Sequence, residues 1–376
     1  MASGSKPGDP GKAGGFWQRL LGKVAESAEA SPGEPSTLPG MQQTQAPGAS
    51  SPHAAPPPDL NDFELGAEIG RGAMAIVYKA TQRSTGRQVA IKRLALSREF
   101  SSEDLADVRE RFMREARAAR ALEHPDILQV VDAGQDGRDA WLALDYVLGR
   151  DLSLFAKAGQ LLPVREVVQI GVRLARALHY AHSQGIIHRD IKPANVMLDR
   201  VNGSLKLMDF GIARVGDGSR TRTGLVLGTP SFMSPEQLSG LTVDGRSDLY
   251  SLGVLLYQLL TGTLPHQSDS MARLMQQIAT QPAPDVRIRR PGLPESLALV
   301  LTVAQEKRPE LRYASGEQMA RDLEAVLIMD LQNEPPAPEP VKSPDAAFAQ
   351  TLRLTPEEAG QNRLSPAEPH EPPQAS

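Results

Sequence analysis

Three groups able to manage a cation or a proton lie near one another in the middle of this chain. The run His188-Arg189-Asp190-Ile191-Lys192-Pro193-Ala194-Asn195 sets an acid and an amide five residues apart, and Asp209-Phe210-Gly211 supplies a second acid. Asn195 and Asp209 suit hard-cation coordination through oxygen, as Mg²⁺ requires. Asp190 can accept a proton from a hydroxyl. Upstream, Val89-Ala90-Ile91-Lys92 is an apolar strand pattern with an interior lysine, and Gly70-Arg71-Gly72 is a turn whose missing Cβ atoms let backbone N–H groups approach phosphate oxygens. Alone, that turn is weak: most Gly-x-Gly pairs are hairpin turns.

These groups need elements to hold them. Strand patterns over Phe63 to Ile69, Ala75 to Thr81 and Gln88 to Leu94 are separated by turn signals at Gly70-Arg71-Gly72 and Ser84-Thr85-Gly86. Between Ser102 and Leu122, residues Leu105, Val108, Phe112, Ala119 and Leu122 form an apolar stripe at helical spacing, and Glu115 falls on it. A carboxylate on a buried face is costly unless a cation pairs with it, and Lys92 on the preceding strand is the simplest partner. The alternative is a solvated Glu115 at the stripe's edge and a Lys92 facing solvent; the residues alone leave both open. A helix of about eighteen residues ends at Gly185, just before the His188 run, and the short strands Val196 to Leu198 and Leu205 to Met208 separate that run from Asp209.

Composition bounds the rest. The 376 residues are 40% hydrophobic, carry a net charge of −4 and contain no cysteine. Disulfides, thiolate metal sites and cysteine nucleophiles are excluded, and the charge gives no nucleic-acid footprint. No stretch approaches the roughly 18 apolar residues of a membrane span; Leu249 to Leu260, the most apolar run, reads as a buried helix. No signal peptide is expected. Residues 1–60 are rich in Pro, Gly, Ser and Ala and are expected to be a disordered arm, as is the Pro- and Glu-rich tail at 331–376. One island near residues 16–25, with Phe16, Trp17, Leu20, Leu21 and Val24 on one helical face, reads as a transient amphipathic helix, a partner-docking helix or a weak membrane-surface anchor.

Taken in order, these segments resemble the bacterial eukaryotic-like serine/threonine protein kinases over the whole of Phe63 to Asp330. Gly70-x-Gly72-x-x-Ala75-x-Val77 resembles the Gly-rich loop, Val89-Ala90-Ile91-Lys92 the ATP-anchoring lysine with Glu115 as its helix partner, residues 188–195 the catalytic loop, and Asp209-Phe210-Gly211 the Mg²⁺ motif. Ser234-Pro235-Glu236 stands where the family closes its activation segment. The implied fold is α+β and two-lobed, a small β-rich lobe carrying one helix above a larger helical lobe, and one catalytic domain at 63–330. The implied activity is transfer of the ATP γ-phosphoryl group to serine and threonine hydroxyls, with Mg²⁺ or alternatively Mn²⁺ as cation.

The resemblance also implies roles. Asp190 would be the base, Lys192 would steady the γ-phosphate, and Lys92 would contact the α/β-phosphates. Gly70, Arg71, Gly72, Ala73, Val77, Ala90 and Glu115 would complete the nucleotide site, and Asp145 and Val147, beyond the gatekeeper-like Leu144, would meet adenine. Asn195 and Asp209 would hold the metal. Glu236 would pair with Arg312, and Asp248 would brace the catalytic loop. Thr221 and Thr223 are the expected regulatory phosphosites, and Thr229 the residue that shapes the substrate-binding loop. Implied partners are protein substrates, phosphothreonine-reading domains drawn to Thr351 or Thr355, and a second copy of the chain; the expected compartment is the cytoplasm. Three departures stand out: Ala75 for the third glycine, Asp126 where asparagine is usual, and Ser234 for alanine. Ala119 is small for its position and would leave its helix loosely held. The full set Lys92, Glu115, Asp190, Asn195 and Asp209 weighs against a non-catalytic scaffold, and the complete activation segment against a small-molecule kinase.

Overall fold

The structure, a computed structural model, describes residues 60–72, 75–210 and 230–332. Five strands form one antiparallel sheet in the order β1-β2-β3-β5-β4: β1 (Phe63–Arg71), β2 (Ala75–Gln82), β3 (Gln88–Leu94), β4 (Val130–Asp136) and β5 (Asp139–Asp145). A four-residue helix, α1 (Leu96–Glu99), precedes α2 (Leu105–Arg120), which lies against this sheet. The apolar stripe of α2 supplies Leu105, Val108, Phe112, Ala116 and Ala119 to a core closed by Val130 and Leu142. Phe63 and Trp141, their ring centroids 5.4 Å apart and near edge-to-face, anchor the opposite face of the sheet. A turn at Leu60–Asp62 precedes β1, and the Asp62 carboxylate ties it to Gln82 and Ser84 at the β2–β3 hairpin.

The lower lobe is helical. A three-stranded sheet of β6 (Arg150–Asp151), β7 (Val196–Asp199) and β8 (Ser204–Leu207) caps it near the hinge. Below lie α3 (Val164–Ser183), α4 (Pro235–Leu238), α5 (Gly245–Thr261), α6 (Met271–Thr280), α7 (Val286–Arg289), α8 (Glu295–Ala304) and α9 (Gly316–Met329). From Ser247 to Leu260 every residue of α5 except Gln258 is buried, the pattern of a helix surrounded by protein. Asp244 caps its first turn and Gly262, at φ 74°, ends it. The domain runs past α9: Leu331 is 6% exposed in the core, and Arg165 donates to its carbonyl at 2.7 Å. Among the described residues no helix is long and apolar enough to cross a membrane.

One contact fixes how closely α9 approaches α3. A Cβ added to Gly316 would sit 2.1 Å from the backbone oxygen of Ala175, an atom that cannot rotate aside. Gly316→Ala is therefore expected to force the helices apart. Overpacking of this kind costs roughly 1–3 kcal/mol, which in a domain of this size lowers the melting temperature by about 2–10 °C. A thermal melt equal to wild type would contradict the contact.

Candidate active site

The loop between α3 and β7 is held from below by one carboxylate. Asp248, in the first turn of α5 and 1% exposed, accepts the backbone N–H of His188 at 2.8 Å and that of Arg189 at 2.7 Å. His182, at the end of α3, lies 2.7 Å from the same Oδ2 through Nε2. The expected brace is present, and His182 is a member of it that sequence reasoning missed; its place in the last turn before Gly185 was the available signal. Arg189 adopts φ 66°, a left-handed backbone uncommon outside glycine, as does Asp209 at φ 59°. His188 is fully buried; its Nε2 lies 2.7 Å from the Met208 carbonyl, and its ring packs on Phe210 at 4.6 Å. The two loops that carry Asp190 and Asp209 are thereby joined.

Above this brace the reactive groups converge. Lys192 Nζ lies 2.8 Å from Asp190 Oδ2, and Asn195 Nδ2 donates to the same oxygen at 2.8 Å and to the Asp190 carbonyl at 2.7 Å. Two donors on one oxygen fix the carboxylate's orientation. The Asp190 side chain remains 28% exposed, open enough to receive a hydroxyl. The Met208 N–H donates to the Asn195 carbonyl at 2.9 Å, which holds the start of the Asp209 turn beside Asn195.

Lys92 departs from the expected pairing. Its Nζ bonds Asp209 Oδ1 at 2.6 Å, so the ion pair of Lys92 is with Asp209 and not with Glu115. The left-handed backbone at Asp209 turns that carboxylate toward β3, while Glu115 stays half-buried on α2. Burial, the largest influence on Asp209, pushes its carboxyl up; the Lys92 charge and hydrogen bond outweigh it, and the net shift is downward. Asp209 is thus an anion among cations.

The donor set fits a hard divalent cation: one carboxylate, Asp209, and the amide oxygen of Asn195, whose nitrogen is engaged by Asp190. Such sites take their remaining ligands from phosphate and water, so two protein oxygens suffice. Among the described residues no cluster of three or more His, Cys, Asp or Glu is arranged to hold a metal.

The residues expected to face adenine lie on the sheet and the hinge. Ala90 pairs with Leu144 and Val77 with Lys92 across the ladders, which brings the expected Val77, Ala90, Lys92 and Leu144 onto adjoining strands. The hinge after β5 is tied to the β2–β3 hairpin twice: Arg87 pairs with the Asp145 carboxylate, and Lys79 Nζ sits 4.7 Å over the Tyr146 ring. Neither tie was foreseen, because both link residues far apart in sequence whose side chains carry no strong burial signal. Val147 follows the hinge, while Gly70, Arg71 and Gly72 lie at the end of β1, where Arg71 pairs with Glu68. A cavity of about 10 Å³ is lined by Ala119, Leu128, Val130, Leu142, Leu144, Asp209 and Phe210, where the end of α2, the sheet and the Asp209 turn meet. Ala119 is 5% exposed, and its small side chain forms part of that wall. Ala73, Thr221, Thr223, Thr229, Thr351, Thr355 and the island at 16–25 lie outside the described residues.

The lower lobe is locked by a buried ion pair. Arg312 donates to Glu236 through Nη1 at 2.6 Å and Nη2 at 2.8 Å, and Ser247 adds its hydroxyl to the same carboxylate. Ser234, in place of alanine, caps α4 and forms a reciprocal capping box with Gln237, whose Nε2 reaches the Arg189 carbonyl at 3.0 Å. Asp126, in place of asparagine, pairs with Arg173 on α3. Both departures are absorbed by local partners.

Comparison with known proteins agrees with this arrangement. The protein kinase domain family matches residues 63–323. A probable serine/threonine-protein kinase of Streptomyces coelicolor is 41% identical over 274 residues, covering 70% of this chain and 40% of its own length. The serine/threonine-protein kinase PknJ of Mycobacterium tuberculosis is 41% identical over 286 residues, covering 74% and 48%. The serine/threonine-protein kinase pkn3 of Myxococcus xanthus is 39% identical over 275 residues, covering 70% and 50%. The chain thus matches half or less of the length of these relatives. A crystal structure of Rad53 residues 1–466 with AMP-PNP superposes with a TM-score of 0.58 at 25% identity, covering 69% of this chain and 64% of that one. With its two lobes, its braced loop and these relatives, the chain belongs to the protein kinase domain family, and its curated relatives are bacterial serine/threonine kinases.

Proposed function

We propose that the chain transfers the γ-phosphoryl group of ATP to serine and threonine hydroxyls of proteins. The observation that carries this reading is the Asp190 carboxylate, oriented by Lys192 and Asn195 on a loop whose backbone is pinned by Asp248. In this reading Asp190 receives the substrate hydroxyl's proton, and Lys192 stands ready for the transferred phosphoryl group. Lys92 contacts the α/β-phosphates, with Gly70, Arg71, Gly72, Ala73 and Val77 covering them; Ala90, Asp145 and Val147 frame adenine, and Glu115 is held available for Lys92. Asn195 and Asp209 hold Mg²⁺ or Mn²⁺, which supplies charge neutralisation at the phosphates. Supporting the nucleotide assignment, the superposed Rad53 structure carries AMP-PNP.

The finer parts of the reading are a catalytic domain over 63–330, autophosphorylation at Thr221 or Thr223, recruitment of phosphothreonine-reading domains, homodimerisation and a cytoplasmic setting. The test is radiolabel transfer from γ-labelled ATP with Mg²⁺, to the chain itself and to a generic acceptor protein, with phosphosites mapped by mass spectrometry. Label on serine and threonine, lost in Lys92→Ala, is the expected result. Nucleotide binding without any transfer would sink the reading.

A further inference from the structure

One titratable cluster of the lower lobe takes no part in the chemistry above. Lys307, in the turn after α8, places Nζ 3.3 Å from His266 Nε2 and 3.5 Å from the Tyr250 hydroxyl, 5.5 Å from the centroid of the Tyr250 ring. The Arg312 guanidinium lies 5.0 Å from the same centroid, and its Nη2 donates to the Lys307 carbonyl at 3.0 Å. Two carboxylates are near. Glu236 is engaged by Arg312, and Glu306 precedes Lys307 in the chain; among the described residues none comes within 4.0 Å of Nζ. Tyr250 and His266 are both buried, at 1% and 6% exposure. An ammonium here has lost water and faces a guanidinium without gaining a contacting anion.

The electrostatics follow from that placement. Burial first, then the Arg312 charge, bring the Lys307 amine down to about 8, against a smaller upward pull from Glu306. Burial and the Lys307 charge bring His266 down to about 4, so the imidazole is neutral and its Nε2 can accept a hydrogen bond from the amine. A desolvated lysine beside another cation is the setting in which an amine becomes a nucleophile.

We propose that Lys307 is a nucleophilic amine, acylated by small acyl donors of the acyl-phosphate class. Neutral Nζ forms a bond to the acyl carbon and the carbon–oxygen bond to phosphate breaks. Inorganic phosphate leaves with the electron pair, and the proton shed by nitrogen passes to His266 Nε2 and then to water. The product amide is uncharged, so the ammonium over Tyr250 is lost while the Arg312–Glu236 bridge remains.

The experiment treats the full chain with acetyl phosphate between pH 6.5 and 9.5 and follows each lysine by peptide mass spectrometry. At pH 7.5 Lys307 is expected to react at least about tenfold faster than exposed Lys157, and its rate to level off above about pH 8, whereas an ordinary lysine keeps accelerating toward pH 10. His266→Gln is expected to slow Lys307 alone, with Lys157 unchanged. A Lys307 rate no greater than that of Lys157, or one still climbing at pH 9.5, overturns the proposal. Should His266→Gln fail to fold, the wild-type pH profile decides the matter by itself.

Discussion

Asp190→Asn is expected to lower the phosphoryl-transfer rate by roughly 10²–10⁴, the contribution of a positioned base, while leaving nucleotide affinity within about threefold of wild type. The separation follows from the geometry. Asp190 is bonded to Lys192 and Asn195 and sits on a loop pinned by Asp248, and none of those bonds belongs to the adenine side of the cleft. An asparagine of the same shape keeps a carbonyl oxygen for these donors, so the loop should stay in place. What disappears is the capacity to take up a proton. Single-turnover kinetics with a nucleotide-binding titration check both halves. A rate within threefold of wild type would remove Asp190 from the role of base; an equal loss of rate and affinity would make it a positioning residue instead.

The second large effect concerns stability. Arg312 is fully buried at its side chain and Glu236 is 6% exposed, with two hydrogen bonds between them and a third from Ser247. Removing one partner leaves the other as an uncompensated buried charge, so Glu236→Ala is expected to cost about 3–5 kcal/mol. The pH dependence has a definite sign. Burial raises the Glu236 carboxyl, but the Arg312 and Ser247 hydrogen bonds and the Arg312 charge lower it further, leaving it below its ordinary 4.5. A depressed carboxyl contributes stability that is complete above about pH 4.5 and is lost as pH falls through the lower, folded value. Denaturant melts of wild type and Glu236→Ala should therefore differ most at neutral pH and converge on the acid side. A constant difference across pH 3–7 would show that the loss is one of packing rather than charge.

Much of this arrangement could be read from residue order. The strands Phe63–Arg71, Ala75–Gln82 and Gln88–Leu94 follow alternation and turn chemistry, and the buried face of α2 follows helical spacing. The Glu236–Arg312 pair and the Asp248 brace could be named in advance only because the family resemblance implied them, and the structure shows both contacts. The Lys92–Asp209 pair could not. It depends on a left-handed backbone at Asp209, and a single φ leaves no periodic trace in sequence. His182 escaped for a related reason: a polar residue in a helix's last turn reads as solvated until the carboxylate it meets has been brought in from α5. The hinge ties Arg87–Asp145 and Lys79–Tyr146 involve side chains that are not fully buried and whose spacing carries no demand for pairing. The turn at Leu60–Asp62 and the buried Leu331 show the same limit near the domain edges, where a gradual shift in composition does not mark which residues pack.

The left-handed backbone at Arg189 and Asp209 has a consequence for how sequences of this fold can drift. At both positions glycine would relax the chain, since it alone meets no Cβ penalty in that conformation. Selection for thermal robustness alone would thus push both residues toward glycine and away from the guanidinium and carboxylate found there. At Asp209 the relaxation would carry a loss of its own, because glycine there removes the carboxylate that pairs with Lys92. A redesign judged on backbone strain alone would therefore break the tie between β3 and the Asp209 turn.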